Sequence, residues 1–158
     1  MAGPRPMLTF KMRLPVKPEK TLILGVLYLQ HENKVQQNFL CTSGLPGWQF
    51  RESQLLPGRG PLPSSAHRKE QLYAVKTEAM RMTDAGHSSS KFYAIHPHSV
   101  RIGEIVRGDF GIHQDLNSPG TAGCIGIPDR AIWLNFMEAM ERLREKSLTT
   151  VPLAVIYY

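Results

Sequence analysis

A histidine and a cysteine flank a turn-rich loop in the last third of the chain, and both side chains can do chemistry near neutral pH. His113 and Cys124 stand eleven residues apart within the stretch Gly111–Ile127. A thiolate attacks carbonyl carbon, and a neighbouring imidazole can take the thiol proton or lower the thiol pKa by forming an ion pair. Gly123 permits close approach of a substrate, and backbone N–H groups at Gly123 and Cys124 can hold an oxyanion. The pattern predicts a cysteine nucleophile with a histidine base.

Two further histidines offer a different chemistry. His96 and His98 share one face if the chain is extended there, and with His113 or Asp115 they could bind zinc. That arrangement would be typical of a zinc-dependent cell-wall peptidase. The sequence supplies no clear third ligand, so a surface or core role for these histidines is the simpler interpretation, with one of them lining a cleft.

A long segment rich in proline and glycine precedes the middle of the chain. Residues 45–65 include Arg59, which stands between two glycines. A loop of this length in a compact domain is usually functional, and an arginine in it could bind a carboxylate or a phosphate, although the sequence has no P-loop pattern. We interpret the segment as a lid or rim over the cleft.

Short strands are needed to position the His113–Cys124 loop, and the apolar pattern predicts them. Apolar residues flank the loop on both sides, so its ends should meet on neighbouring strands. The pattern predicts a hairpin turn at 31–34, a polar excursion at 83–91, a chain break at Pro97, a turn at 107–109 and a further turn at 117–120, which starts with Asn117. Residues 1–20 are expected to form a lead-in or an edge strand, and residues 21–158 a single domain. The predicted strands cover 21–30, 35–42, 72–77, 92–98, 99–106, 125–127 and 151–158.

One helix is predicted near the end of the chain, over residues 129–146. Asp129 follows a proline and is a good N-cap. Apolar side chains then recur at helical spacing, which predicts one buried face. Many short strands with one late helix indicate a mainly β sandwich or barrel with a C-terminal helix before the last strand.

Composition places the chain among soluble globular proteins. It has 158 residues, of which 42% are hydrophobic and 20% charged, with a formal net charge of +6. The basic residues are dispersed and no nucleic-acid motif is present, so a solvated basic surface is expected and no nucleic-acid partner. The apolar run at 22–29 is too short to span a bilayer and has no cleavage site, so neither a transmembrane segment nor a signal peptide is predicted. Cys41 and Cys124 are expected to be separate thiols.

The residues around His113 and Cys124 resemble the signature of the L,D-transpeptidase (YkuD-type) catalytic domain. That signature has an Ile-His element and then Ser/Thr-x-Gly-Cys before an apolar residue, which matches 110–113 and 121–125. Thr42-Ser43-Gly44 is similar to an early turn of the family, and Gly60-Pro61-Leu62-Pro63 to a later segment. The helix and the final strand follow in the family's order, so the resemblance covers about residues 22–158.

The resemblance implies a cysteine acyltransferase acting on peptidoglycan stem peptides. Cys124 would attack the carbonyl at the donor's L-centre, expel a D-amino acid and form a thioester. His113 would be the general base, and Thr121 would orient the imidazole through its carbonyl. An amine acceptor would give cross-linking or D-amino-acid exchange, and water would give carboxypeptidase activity. No metal or organic cofactor is implied.

The chain departs from the family pattern at three points. Ala122 stands where members usually have a second histidine, Gly126 where they have arginine or asparagine, and the His-to-Cys spacing is short. Short-spacing variants are similar to toxin-like members that are delivered into rival bacteria. The resemblance therefore implies action in the periplasm or cell wall after lysis, injection or virion delivery, with a delivery apparatus, a virion or an immunity protein as partner. A non-catalytic phage or secretion-apparatus module that binds the wall is the alternative.

Overall fold

The computed structural model describes residues 5–81, 91–116 and 118–158 as a mainly β protein with one α-helix before its last strand. Both features were predicted. The polar excursion expected at 83–91 lies outside the described residues except for Lys91. The elements are β1 Pro6–Met12, β2 Gly25–His31, β3 Lys34–Ser43, β4 Tyr73–Lys76, β5 Met80–Arg81, β6 Lys91–His96, β7 Ser99–Ile102, β8 Ile105–Gly108, β9 Gly111–Gln114, β10 Ile125–Ile127, α1 Arg130–Glu145 and β11 Thr150–Tyr157.

The main sheet closes into a barrel. Nine strands lie in the order β4-β11-β1-β2-β3-β10-β9-β6-β5, and an additional pairing of β4 with β6 closes the ring. β1 pairs in parallel with β11 and antiparallel with β2, so the prediction of an edge strand within residues 1–20 is wrong. The alternation of apolar side chains in β1 is that of any strand with one buried face, and it does not reveal how many neighbours the strand has.

The barrel interior is filled by large apolar side chains, and α1 packs against them. Phe136 lies edge-on to Phe39 with ring centroids 5.2 Å apart, and it contacts Tyr93 in the same way at 5.4 Å. Asp129 caps the helix by accepting a hydrogen bond from the Ile132 amide at 2.9 Å. The apolar face of the helix is therefore part of the core, as its spacing predicted.

The segment between β3 and β4 is packed onto the barrel through a buried glutamine. Gln49 is 1% exposed, and its amide nitrogen donates to the Ile23 and Ser43 carbonyls and to the Thr42 hydroxyl. Its side-chain oxygen accepts from the Ile23 amide at 2.7 Å. Because each of these groups is buried, the hydrogen bonds hold the segment in one position.

A small hairpin, β7–β8, precedes the candidate site. The turn predicted at 107–109 falls later than expected, because Arg107 and Gly108 still belong to β8 and only Asp109, with φ of 60°, lies in the turn. Pro97 breaks the chain between β6 and β7, as predicted. In the part of the chain that the structure describes, no helix is long and apolar enough to cross a membrane.

Candidate functional site

Cys124 lies just before β10, beside the beginning of β9. Its Sγ donates to the Asp109 carbonyl oxygen at 3.6 Å, and its side chain is partly exposed. Burial raises the pKa of the thiol to about 11; the charge of Asp109 acts in the same direction, while the Gly111 backbone and Arg107 lower the pKa. The thiol is therefore protonated at neutral pH. Of the two ways in which an imidazole can activate a thiol, the ion pair is not seen among the described residues, because the sulfur is turned toward a carbonyl in a partly desolvated position.

His113 stands on β9, directly opposite Gly126 of β10. Its Nδ1 lies 2.8 Å from the Gln114 carbonyl oxygen. Because a carbonyl only accepts hydrogen bonds, we assign the ring hydrogen to Nδ1, which leaves the lone pair on Nε2. The ring stacks on Phe92 with centroids 6.4 Å apart and planes at 23°. The imidazole is thus held in the tautomer that can act as a base through Nε2.

The two parallel strands bring the thiol and the imidazole to one side of the sheet. Ile112 and Ile125 are paired and fully buried, so the residues next to each of them point away from the interior. Gly111 lies between them on that side, and a Cβ there would be 2.0 Å from the Phe92 ring. Among the described residues, no hydrogen bond joins Cys124 Sγ to His113, and the sulfur bonds to the Asp109 carbonyl instead.

Two hydroxyl groups hold the backbone of Cys124. Ser43 donates to the Cys124 carbonyl at 2.9 Å, and the Thr121 hydroxyl donates to the same oxygen. The Gly44 amide donates to the Thr121 hydroxyl at 3.2 Å, and the Gly44 carbonyl accepts from the Thr121 amide at 3.0 Å. Thr121 therefore belongs to the site through its hydroxyl, whereas the imidazole nitrogen that it was expected to orient bonds to Gln114 instead. These contacts fix where the Cys124 side chain begins.

An aspartate closes the loop between His113 and Thr121. The Asp115 carboxylate accepts from the Gly120 amide at 2.8 Å. Burial raises the pKa of Asp115, while the Gly120 hydrogen bond and the nearby His113 lower it. Asn117, expected to supply part of this turn, lies outside the described residues.

Backbone conformation and close contacts explain the two glycines on either side of the sulfur. Gly123 has a φ of 131°, and its amide donates to the Thr121 hydroxyl at 3.4 Å. A Cβ at Gly126 would lie 2.8 Å from Thr121 Cγ2 and 3.1 Å from the Asp115 Cβ, so no larger side chain fits there. Ala122 is exposed. The departure at 126 thus follows from the tight packing of the shortened loop.

The residues predicted to line a cleft are His96, His98 and Arg59. The rings of His96 and His98 meet edge-to-face, with centroids 5.0 Å apart and planes at 64°, and the His98 carbonyl accepts from the Asp109 amide at 3.1 Å. Arg59 is exposed and lies over the Trp48 ring at 4.7 Å. Across the residues that the structure describes, no three histidine, cysteine or acidic side chains are grouped to hold a metal ion. The zinc interpretation therefore gains no third ligand.

Arg107 and Phe92 are the site residues that sequence reasoning missed. Arg107 donates to the Ala122 carbonyl from beneath the loop, and Phe92 stacks on His113. The one available signal was the glycine at 111, whose lack of a side chain leaves room for the Phe92 ring.

Comparison of the chain with protein-family models, with curated proteins and with solved structures gives no match in any of the three.

Because the Cys124 thiol is protonated at neutral pH, we expect it to react slowly with alkylating agents. We expect iodoacetamide to alkylate Cys124 at pH 8 about two orders of magnitude more slowly than free cysteine, because only thiolate reacts and this pKa is about 11. The rate should rise about tenfold per pH unit up to that value. Peptide mapping by mass spectrometry follows each thiol, and Cys41, which is fully buried, serves as the unreactive internal control. Rapid alkylation of Cys124 at neutral pH would contradict the protonated resting state.

Proposed function

We propose that this protein is a cysteine acyltransferase of the L,D-transpeptidase type that acts on peptidoglycan stem peptides. The observation that carries the proposal is that β9, which holds His113, pairs in parallel with β10, which begins immediately after Cys124. The Thr121 and Ser43 hydroxyls support it, since both hold the carbonyl of the proposed nucleophile. The residues that make these contacts belong to the segments that resemble the family signature.

The protonation states suggest the order of the reaction. Because the resting thiol is protonated, His113 Nε2 takes the proton as Sγ bonds to the substrate carbonyl carbon. The carbonyl oxygen becomes an oxyanion, which the backbone amide of Cys124 would hold. The intermediate then collapses, the bond to the D-amino acid breaks, and that amine leaves with the proton from His113. An amine or water cleaves the resulting thioester and restores the thiol.

Arg59 is a suitable group for holding the substrate. It is exposed, its backbone carbonyl accepts from the Leu45 amide at 2.9 Å, and the adjacent Gly44 is bonded to Thr121 of the catalytic loop. A guanidinium at this rim can bind the carboxylate at the end of a stem peptide. The role is the one expected of Arg59 from its place in the sequence.

The substrate decides where the protein would act. Peptidoglycan lies in the periplasm or cell wall, so we propose that the protein reaches it after lysis, by injection or with a virion. A delivery apparatus and an immunity protein are the partners that such a route would require.

Incubation with purified tetrapeptide muropeptides and a free D-amino acid tests the proposal. We expect mass spectrometry to detect stem peptides that have lost or exchanged their terminal D-residue, and an acyl adduct on the peptide that contains Cys124. Unchanged muropeptides with a protein that is folded by circular dichroism, but bound to isolated cell walls, would favour the non-catalytic module. Products that disappear when EDTA is present would favour a metal peptidase.

A further inference from the structure

Arg107 is buried beneath the loop that carries Cys124. It is 3% exposed, and its guanidinium donates only to backbone carbonyls. One terminal nitrogen, Nη1, bonds to Gln54 at 2.9 Å and to Pro61 at 2.5 Å. The other, Nη2, bonds to Gly60 at 2.9 Å and to Ala122 at 3.3 Å. One side chain thus ties the segment after β3 to the loop of the candidate nucleophile.

This buried cation has no anionic partner in the described residues. None of the ion pairs found there includes Arg107, and its Nε is a buried side-chain nitrogen without a hydrogen-bond partner. Taking a charge out of water is costly unless an opposite charge compensates it, and carbonyl dipoles compensate only in part. The resting protein therefore carries an unbalanced positive charge at this point of the interior.

The unbalanced charge lies directly behind the sulfur-bearing residue. A Cβ at Gly123 would be 2.8 Å from Arg107 Nη2, so the guanidinium touches the backbone that precedes Cys124. Asp109 also faces the thiol, and Tyr73 and Tyr157 face Arg107; their hydroxyls are neutral because burial raises the pKa of each. The groups next to Arg107 that can become negatively charged during a reaction are therefore the Cys124 thiol and the substrate oxygen beside it.

We propose that Arg107 is a positioning residue whose charge stabilises the negative charge that forms at Cys124 or at the substrate oxygen during acyl transfer. The inference rests on the proposed function. When His113 takes the thiol proton, Sγ bonds to the substrate carbonyl carbon and negative charge moves onto the carbonyl oxygen. This oxyanion supplies the negative partner that Arg107 lacks in the resting protein. The same guanidinium bonds to the Ala122 carbonyl, so it also fixes the turn that precedes Cys124.

The first test compares Arg107→Gln with Arg107→Lys. In Arg107→Gln the pH midpoint for alkylation of Cys124 should move upward, and the alkylation rate at pH 9 should fall at least about threefold, since an opposite charge nearby lowers a thiol pKa. Arg107→Lys keeps the charge but cannot reach all four carbonyls, so its midpoint should stay near that of the wild type while kcat falls. Equal midpoints in all three proteins, with only the Tm reduced, would reduce Arg107 to a structural residue.

A second test keeps Arg107 unchanged, so it can be carried out even if the Arg107 variants do not fold. In the wild-type protein labelled with ¹³C, the Cζ signal of Arg107 should shift with the same midpoint as the alkylation of Cys124. The shift should vanish in Cys124→Ala, the matched control. A Cζ chemical shift that does not change as the Cys124 thiol titrates would overturn the inference. The alkylation midpoints and the Cζ shift are measured without peptidoglycan, so an inactive protein that shows both would refute the proposed function and leave the coupling of Arg107 to Cys124 intact.

Discussion

Cys124→Ala is expected to abolish turnover of peptidoglycan stem peptides, with a loss on the order of 10⁴-fold or more, because no other group in the proposed mechanism can form the thioester. The fold should tolerate the change. The Cys124 sulfur makes only weak hydrogen bonds, to the Asp109 carbonyl and with the Gly111 backbone, while the Ser43 and Thr121 hydroxyls hold the backbone carbonyl, which alanine keeps. Product formation by mass spectrometry and Tm by calorimetry measure the two effects separately.

The second cysteine provides the matched control. Cys41 is fully buried on β3, two residues before Ser43, and burial raises the pKa of its thiol. Cys41→Ala should lower stability by about 1–2 kcal/mol because it leaves a small cavity, while turnover per folded molecule stays unchanged. Full activity in Cys124→Ala would show that another group performs the chemistry.

Gly60→Ala is expected to destabilise the protein by more than about 3 kcal/mol. A Cβ at this position would lie 1.6 Å from the Ser53 carbonyl oxygen and 2.5 Å from the carbonyl carbon. Backbone atoms cannot rotate away as a flexible side chain does, so the segment between β3 and β4 must move. Because the Gly60 carbonyl accepts from Arg107, the displacement should reach the catalytic loop. Urea unfolding followed by circular dichroism gives the free energy of unfolding.

Gly58→Ala separates this clash from the general effect of adding a methyl group. Gly58 lies in the same segment with open space around it, and only its φ of 79° opposes a side chain. That conformation costs an alanine about 1–2 kcal/mol. If the two variants lose the same free energy of unfolding, the backbone at Gly60 can move at little cost, and the segment does not hold Arg107 rigidly.

The sequence was sufficient to predict the local structure because the signals for it lie within a few residues. The helix prediction over 129–146 is confirmed, since Asp129 caps α1 and its apolar stripe faces the core. The hairpin turn is also confirmed, with Glu32 and Asn33 both at positive φ between β2 and β3. Such features depend on capping groups, turn residues and periodicity, which a single chain displays directly.

The features that were missed depend on contacts between distant segments. β1 was expected at an edge because its pairing with β11 joins the two ends of the sequence and leaves no local pattern. Arg107 was assigned to a turn, and its carbonyl partners in the segment after β3 stand about fifty residues earlier in the chain. A buried arginine without an acidic partner has no sequence signature, since charged residues are ordinarily exposed.

The candidate site was predictable in its residues but not in its protonation. Small residues and a short spacing around His113 and Cys124 indicated a tight loop, and the structure places His113 on β9 and Cys124 just before β10, which pairs with β9 in parallel. The raised pKa of the thiol comes from desolvation and from the nearby charge of Asp109, which are properties of the folded molecule. The role of His113 as a base for this thiol stays a prediction.

The position of β11 has a consequence for how the chain folds during synthesis. β11 is the last strand in the sequence, yet it lies between β4 and β1, and Leu153 pairs with Leu8. Pairing across such a sequence separation is slow, and it cannot begin until the final strand has left the ribosome. Until then β1 and β4 each present an open edge to other chains. A shortage of chaperones should therefore harm the nascent chain at this stage more than it harms the finished barrel.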